Sequence, residues 1–171
     1  STLTGSAKLA KGVPHILHIG PDSILYCTNG QYVASHDPLT SSGSTQAFNL
    51  GAGWTAVALE SYGNYLAIGA RKTNAGVTAA SETRLYLWDG YTPTPNFVYD
   101  LGDYNVTALK NHEGELRIFT QGKNNQMRVK TISGNGVVTI FESYIGNAPK
   151  AKSVESFKDM VIWGQDSGNY R

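Results

Sequence analysis

Residues 58–69 read Ala58-Leu59-Glu60-Ser61-Tyr62-Gly63-Asn64-Tyr65-Leu66-Ala67-Ile68-Gly69. Two short apolar runs flank the turn Ser61-Tyr62-Gly63-Asn64, where Gly and Asn tolerate the positive φ of a tight reversal, so the stretch predicts a β-hairpin. The pattern recurs. Shifted by 50 residues, Ala108-Leu109 and Leu116-Arg117-Ile118 fall on Ala58-Leu59 and Leu66-Ala67-Ile68, around the turn Asn111-His112-Glu113-Gly114. Shifted by 95, Val154-Glu155-Ser156-Phe157 and Val161-Ile162-Trp163-Gly164 do the same, around Phe157-Lys158-Asp159. Shifted back by 42, Ile16-Leu17 and Ile24-Leu25-Tyr26 fill the slots around Gly20-Pro21-Asp22-Ser23. No window needs a gap, and the successive spacings are 42, 50 and 45 residues.

Two more strand-like runs follow each of the first three hairpins. They are Gln31–Ser35 and Gln46–Leu50, then Arg84–Trp88 and Asn96–Leu101, then Met127–Ile132 and Val137–Phe141. Four antiparallel strands recurring every 40 to 50 residues is the pattern of a propeller blade. On these hairpins and their spacing the chain resembles the β-propeller superfold, whose familiar members are the WD-repeat and kelch-like proteins. Trp88-Asp89 looks like the dipeptide that names the WD repeats, yet it ends a third strand in one unit only. The partner Gly-His pair and the paired glycines of kelch repeats are absent, so neither family is assigned.

The resemblance implies an all-β fold: a β-propeller segment of about three and a half four-stranded antiparallel blades. It makes residues 1–171 a single propeller segment, with blades at about 10–50, 51–101 and 102–144 and a partial one at 145–171. A β-sandwich or an antiparallel barrel also shows alternating strands, but neither explains ungapped hairpins at blade spacing. Propellers close with typically four to eight blades, and an open one exposes apolar faces and unpaired edges. The expectation is therefore either further blades of the same chain or a homo-oligomer, in which two copies supply about seven blades.

Composition agrees. The 171 residues include 19 Gly and 10 Tyr, and only 16% are charged, against roughly 25% in an average soluble domain. A net charge of +1 gives no electrostatic case for nucleic acid. No apolar run approaches the length that spans a membrane, so membrane insertion is not expected. The opening Ser1–Ser6 lacks the basic start and apolar core of a signal peptide. Cys27, the single cysteine, sits in Ile24-Leu25-Tyr26-Cys27 and reads as a small buried hydrophobe.

Chemistry-bearing residues are sparse. His15 and His18 are three apart, which on a strand sends them to opposite faces, and His112 reads as a solvated turn residue. No zinc, calcium, phosphate-loop or Gly-x-Ser-x-Gly spacing is present, so neither a metal nor a cofactor nor a catalytic residue is expected. Glu60 and Glu155 recur at one repeat position and read as structural, with Ser61 and Ser156 capping their turns. The best binding face carries Trp54 and Tyr104, one repeat apart, with Arg71, Asn124, Asn125 and the long insertion Lys72–Glu82 on the same side. Aromatic rings beside amides can stack on a glycan or grip a protein. Trp54 and Tyr104 can equally cap the gap between neighbouring blades.

Three functions follow from these features. The first is a non-enzymatic structural or protein-interaction component of a larger assembly. Its composition resembles that of extracellular or virion proteins such as phage tail, fibre or capsid-associated components. The second is a carbohydrate-binding, lectin-like propeller using Trp54 and Tyr104. The third is part of a polysaccharide-degrading enzyme whose carboxylates lie elsewhere.

Overall fold

The computed structural model describes residues 9–72, 83–122, 126–132 and 138–164. Most of them are in antiparallel strands. The first sheet runs β1 (Leu17–Ile19), β2 (Leu25–Asn29), β3 (Tyr32–His36) and β4 (Gly43–Asn49) in simple neighbour order. The second has β5 (Trp54–Tyr62), β6 (Tyr65–Lys72), β7 (Thr83–Trp88) and β8 (Phe97–Asp100), and the third β9 (Asn105–His112), β10 (Glu115–Gln121), β11 (Gln126–Ile132) and β12 (Val138–Ile145). A 3-10 turn, Ala151–Ser153, leads to a hairpin of β13 (Val154–Phe157) and β14 (Met160–Trp163).

The turns explain the register. Glu113 and Gly114 reverse β9 into β10 with positive φ, as Lys158 does between β13 and β14. In the second, third and fourth units four residues separate the partners Ser61↔Leu66, Asn111↔Leu116 and Ser156↔Val161. In the first unit Ile19 pairs with Leu25, so five residues intervene. The ungapped alignment is thus one residue out for β2: Cys27, not Tyr26, stands where Ile68, Ile118 and Trp163 stand. The extra residue belongs to the turn Gly20–Ile24, closed by hydrogen bonds Gly20 N–H to Ile24 O and Ser23 N–H to Gly20 O.

Because strands alternate their side chains, every sheet has two faces, and both are used. Tyr26, Val33 and Phe48 of the first sheet pack on Leu59, Ile68, Tyr86 and Trp88 of the second. The opposite face of the second, with Val57, Ala67, Leu85 and Leu87, packs on Leu109, Leu116 and Ile118 of the third. Phe119, Met127 and Val129 on the far face of the third meet Val154 and Trp163 of the hairpin. Each buried side chain of this size is worth about 1.5–3 kcal/mol, which is what holds successive sheets face to face. The second and third sheets come closest along β5 and β9 and the hairpin meets the third sheet along β13 and β9, whereas the first sheet meets β5 mainly through β2. Gly69 permits one such approach, since a Cβ there would lie 2.7 Å from Val106 Cγ1.

Trp88 is fully buried, 4.9 Å from the Phe48 ring, with its indole N–H donated to Thr92 O at 2.7 Å. Asp89 accepts from the N–H groups of Tyr91 and Thr92, and those bonds pull its carboxyl well below the usual range. The Trp-Asp dipeptide here builds a loop. Cys27 is buried and its thiol is pushed up by burial.

Candidate functional site

One repeat position runs along the first strands. His18, Glu60, Lys110 and Glu155 are spaced by the repeat intervals on β1, β5, β9 and β13, and together they line a cleft of about 250 Å³. Basic and acidic side chains alternate along it. His18 Nε2 lies 3.7 Å from Glu60 Oε1, and Lys110 Nζ donates to Glu155 Oε2 at 3.0 Å. Burial, and then the Lys110 ammonium, push the His18 imidazole below its ordinary value. Burial pushes the Glu60 carboxyl up, against the pull of the Ser61 N–H and of Lys110. The hydroxyl of Ser61 donates to Ile19 O at 3.2 Å and sits 2.9 Å from His18 Nε2. Ser156 Oγ lies 2.6 Å from His112 Nδ1.

Two expectations are corrected here. Ser61 and Ser156 do not cap their own turns: strand alternation puts them on the face that Leu59 and Val154 turn to the preceding sheet, and their hydroxyls reach that sheet. His112 is buried, since its ring lies at the end of β9 beside β13 instead of out in the turn. His15 serves the backbone, its two ring nitrogens lying 2.8 Å from Thr28 O and 2.9 Å from Ala10 O.

Trp54 begins β5, half-buried, and packs against the first core with its ring edge-on to Tyr86 and the Arg84 guanidinium 4.5 Å over its face. Trp54 and Arg71 lie at the same end of the β5–β6 pair. Arg71 Nη1 reaches Asn105 Oδ1 of the third sheet at 3.5 Å. Tyr104 donates its backbone N–H to Gln121 O at 2.9 Å, on the loop that opens the third sheet. Asn124 and Asn125, and nearly all of the insertion after Lys72, lie outside the described residues.

Beside Tyr104 is a polar centre that sequence reasoning missed. Asp103 is 2% exposed, and its carboxylate takes hydrogen bonds at 2.6 Å from Arg128 Nη1, Lys130 Nζ and Thr120 Oγ1. Lys130 also donates to Leu101 O, and Thr83 Oγ1 to Asp103 O. The sequence does carry a signal for it. Arg128 and Lys130 are two apart on an interior strand, hence on one face, and a cation buried there, as Lys130 is, demands an anion.

The faces at either end of the stack are unlike those inside it. Leu59, Leu109 and Val154 share a repeat position facing the preceding sheet and are 5%, 4% and 3% exposed, whereas Leu17, in the same position on β1, is 63% exposed. Ile19 beside it is exposed too. On the hairpin, Val154 and Trp163 face the third sheet, so Phe157, Met160 and Ile162 point the other way and are exposed. Among the described residues no three His, Cys, Asp or Glu side chains converge to hold a metal, and no helix is long and apolar enough to cross a membrane. Comparison with known proteins gives no family model that matches this chain and no curated sequence similar to it at a significant level.

Proposed function

We propose that the chain is a segment of a β-propeller that acts as a non-enzymatic structural or interaction protein, with a further sheet seated on each of its two open faces. The observation that carries this is the contrast at one repeat position, buried on three first strands and open at Leu17. A leucine there is a packing residue wherever a preceding sheet exists. The approach of β5 to β9 and of β9 to β13, and the single cleft that His18, Glu60, Lys110 and Glu155 line, support a radial layout with those four residues nearest the axis. Glu60 and Glu155 each have a basic neighbour across a sheet junction, which supports a structural part for that row. The Trp54 ring, covered by Arg84 on one face and packed against the core, favours a role between blades over one in glycan stacking. An extracellular or virion assembly is the setting that the low charge fits.

The test is cysteine labelling at the two faces. Leu17→Cys and Ile162→Cys are introduced separately and exposed to a thiol reagent in the complete native protein, where buried Cys27 contributes little background. Slow labelling at both sites, made fast by mild denaturant, is the expected result. Rapid labelling of both in the native protein overturns the reading.

A further inference from the structure

The hairpin and the third sheet leave a cleft of about 430 Å³ between them. Phe119, Val129, Phe141, Tyr144 and Trp163 give it apolar walls, and Arg117 lies among them with its guanidinium carbon 3.9 Å over the Phe141 ring. Two buried donors there are unmet. Trp163 is 7% exposed, and its indole N–H has no hydrogen-bond partner among the described residues. Arg117 gives Nη2 to Glu115 at 2.7 Å, while its buried Nη1 has no partner among them. Buried donors of this kind cost free energy until an acceptor reaches them.

The same cleft borders an open strand edge. β6 is paired on both sides, by β5 and β7, and β10 likewise by β9 and β11. β14 holds their repeat position, yet among the described residues it pairs with β13 alone. Gly164 N–H donates to Ser153 O at 3.0 Å, and antiparallel bonding alternates from there. The peptide groups of Ile162 thus turn to β13, and those of Val161 and Trp163 to the open edge. Val161 and Trp163 are also the residues that pack toward the third sheet. A strand added at that edge sets the side chains opposite them into the cleft. We infer that the cleft takes an extended segment of a partner polypeptide, which adds to β14 as an antiparallel strand. The inward face of that segment is apolar and carries uncharged hydrogen-bond acceptors, which meet Arg117 Nη1 and the Trp163 indole. A carboxylate is disfavoured there: Glu115 already neutralises Arg117, and Glu113, Glu142 and Asp159 line the same cleft. This inference rests on the reading of the chain as an interaction protein, and it names the kind of partner and its seat.

Titration of the protein with synthetic peptides, read by tryptophan fluorescence and by residue-resolved amide exchange, tests it. The probe is a capped peptide with Val and Thr by turns on one face and Lys on the other. Saturable binding below about 1 mM, with the amides of Val161 and Trp163 slowed toward that of Ile162, is the expected result. A proline at the centre of the probe should abolish it, because proline cannot donate to the ladder. Exchanging every Thr of the probe for Val removes the acceptors at nearly equal volume. The preference for the Thr probe over the Val probe should fall at least about fivefold in Arg117→Met, and circular dichroism checks that this variant folds. Absence of binding at about 1 mM overturns the inference. So does equal binding of the proline probe, or a Thr preference that Arg117→Met leaves unchanged. Amides of Val161 and Trp163 already as slow as that of Ile162 before any peptide is added mean an edge filled within the protein, and overturn it too. Slow labelling of the two cysteines above with no peptide binding overturns this inference alone, whereas rapid labelling with peptide binding overturns the covered end faces alone.

Discussion

Replacing Asp103 by Asn is the sharpest test of how the second and third sheets are joined. The substitution preserves volume and one acceptor oxygen, and removes the carboxylate that lies against both Arg128 Nη1 and Lys130 Nζ at 2.6 Å. Lys130 is itself buried, so its ammonium cannot turn to water without opening the sheet. Removing one partner of a buried ion pair costs about 3–5 kcal/mol, and the retained acceptor puts the expected loss near the lower end, about 3 kcal/mol. Against a total stability of about 5–15 kcal/mol that is a large share. With a urea slope of roughly 2 kcal/mol/M, the midpoint falls by about 1.5 M. Urea unfolding followed by tryptophan fluorescence reads it directly. Asp100→Asn, at an exposed carboxylate immediately before the same loop, serves as the control and should shift the midpoint little. A loss under about 1 kcal/mol for Asp103→Asn would show that the buried cations find other partners, and would refute the argument.

Gly69→Ala forces a methyl to 2.7 Å from Val106 Cγ1 and 3.4 Å from Ala58 Cβ, so overpacking should cost about 1–3 kcal/mol, seen as a lower thermal midpoint. Leu109→Ala, in the core between the second and third sheets, should cost about 2–5 kcal/mol, while Leu39→Ala, at an exposed turn leucine, should stay within about 0.5 kcal/mol. Stability should also fall as pH drops through 6.5, because burial and Lys110 hold His18 below that ordinary value. The unfolded chain then takes up a proton that the folded chain refuses, and the folded state is penalised progressively down to its own lower value. Glu60 works in the opposite sense: its raised carboxyl stabilises below 4.5 and that contribution is lost as pH climbs through its folded value. His18→Asn should therefore flatten the urea midpoint against pH around and below 6.5, and an unchanged slope would refute the assignment.

The repeated hairpins were legible because a tight reversal and its flanking strands are local. Leu59, Leu109 and Val154 announce themselves by spacing alone. The register of β2 was not legible, since one extra residue between Gly20 and Ile24 leaves the apolar pattern looking intact while exchanging the two faces. His112 and Ser156 were misread for a related reason. A residue beside a turn looks solvated until the neighbouring sheet is placed, and that sheet lies 44 residues away in sequence. The charge row was half visible. Glu60 and Glu155 recur openly, but His18 and Lys110 differ from them in sign, so only juxtaposition shows all four to be one feature. The Asp103 centre joins residues up to 27 apart by side chains that no motif links.

Sheets that pack chiefly on their immediate neighbours make an architecture in which cooperativity is a matter of position. Stability becomes a sum of what each sheet contributes and what each junction adds, and a sheet with two junctions is held more firmly than one with a single junction. Amide hydrogen exchange should map that order onto the chain. The interior strands β6 and β10, flanked on both faces, exchange last and report the global opening. The hairpin β13–β14 exchanges first, through local opening that leaves the other three sheets intact. Fraying of this kind lets one end of the stack sample open forms without endangering the middle, so the end proposed to carry a further sheet is also the end that yields most readily.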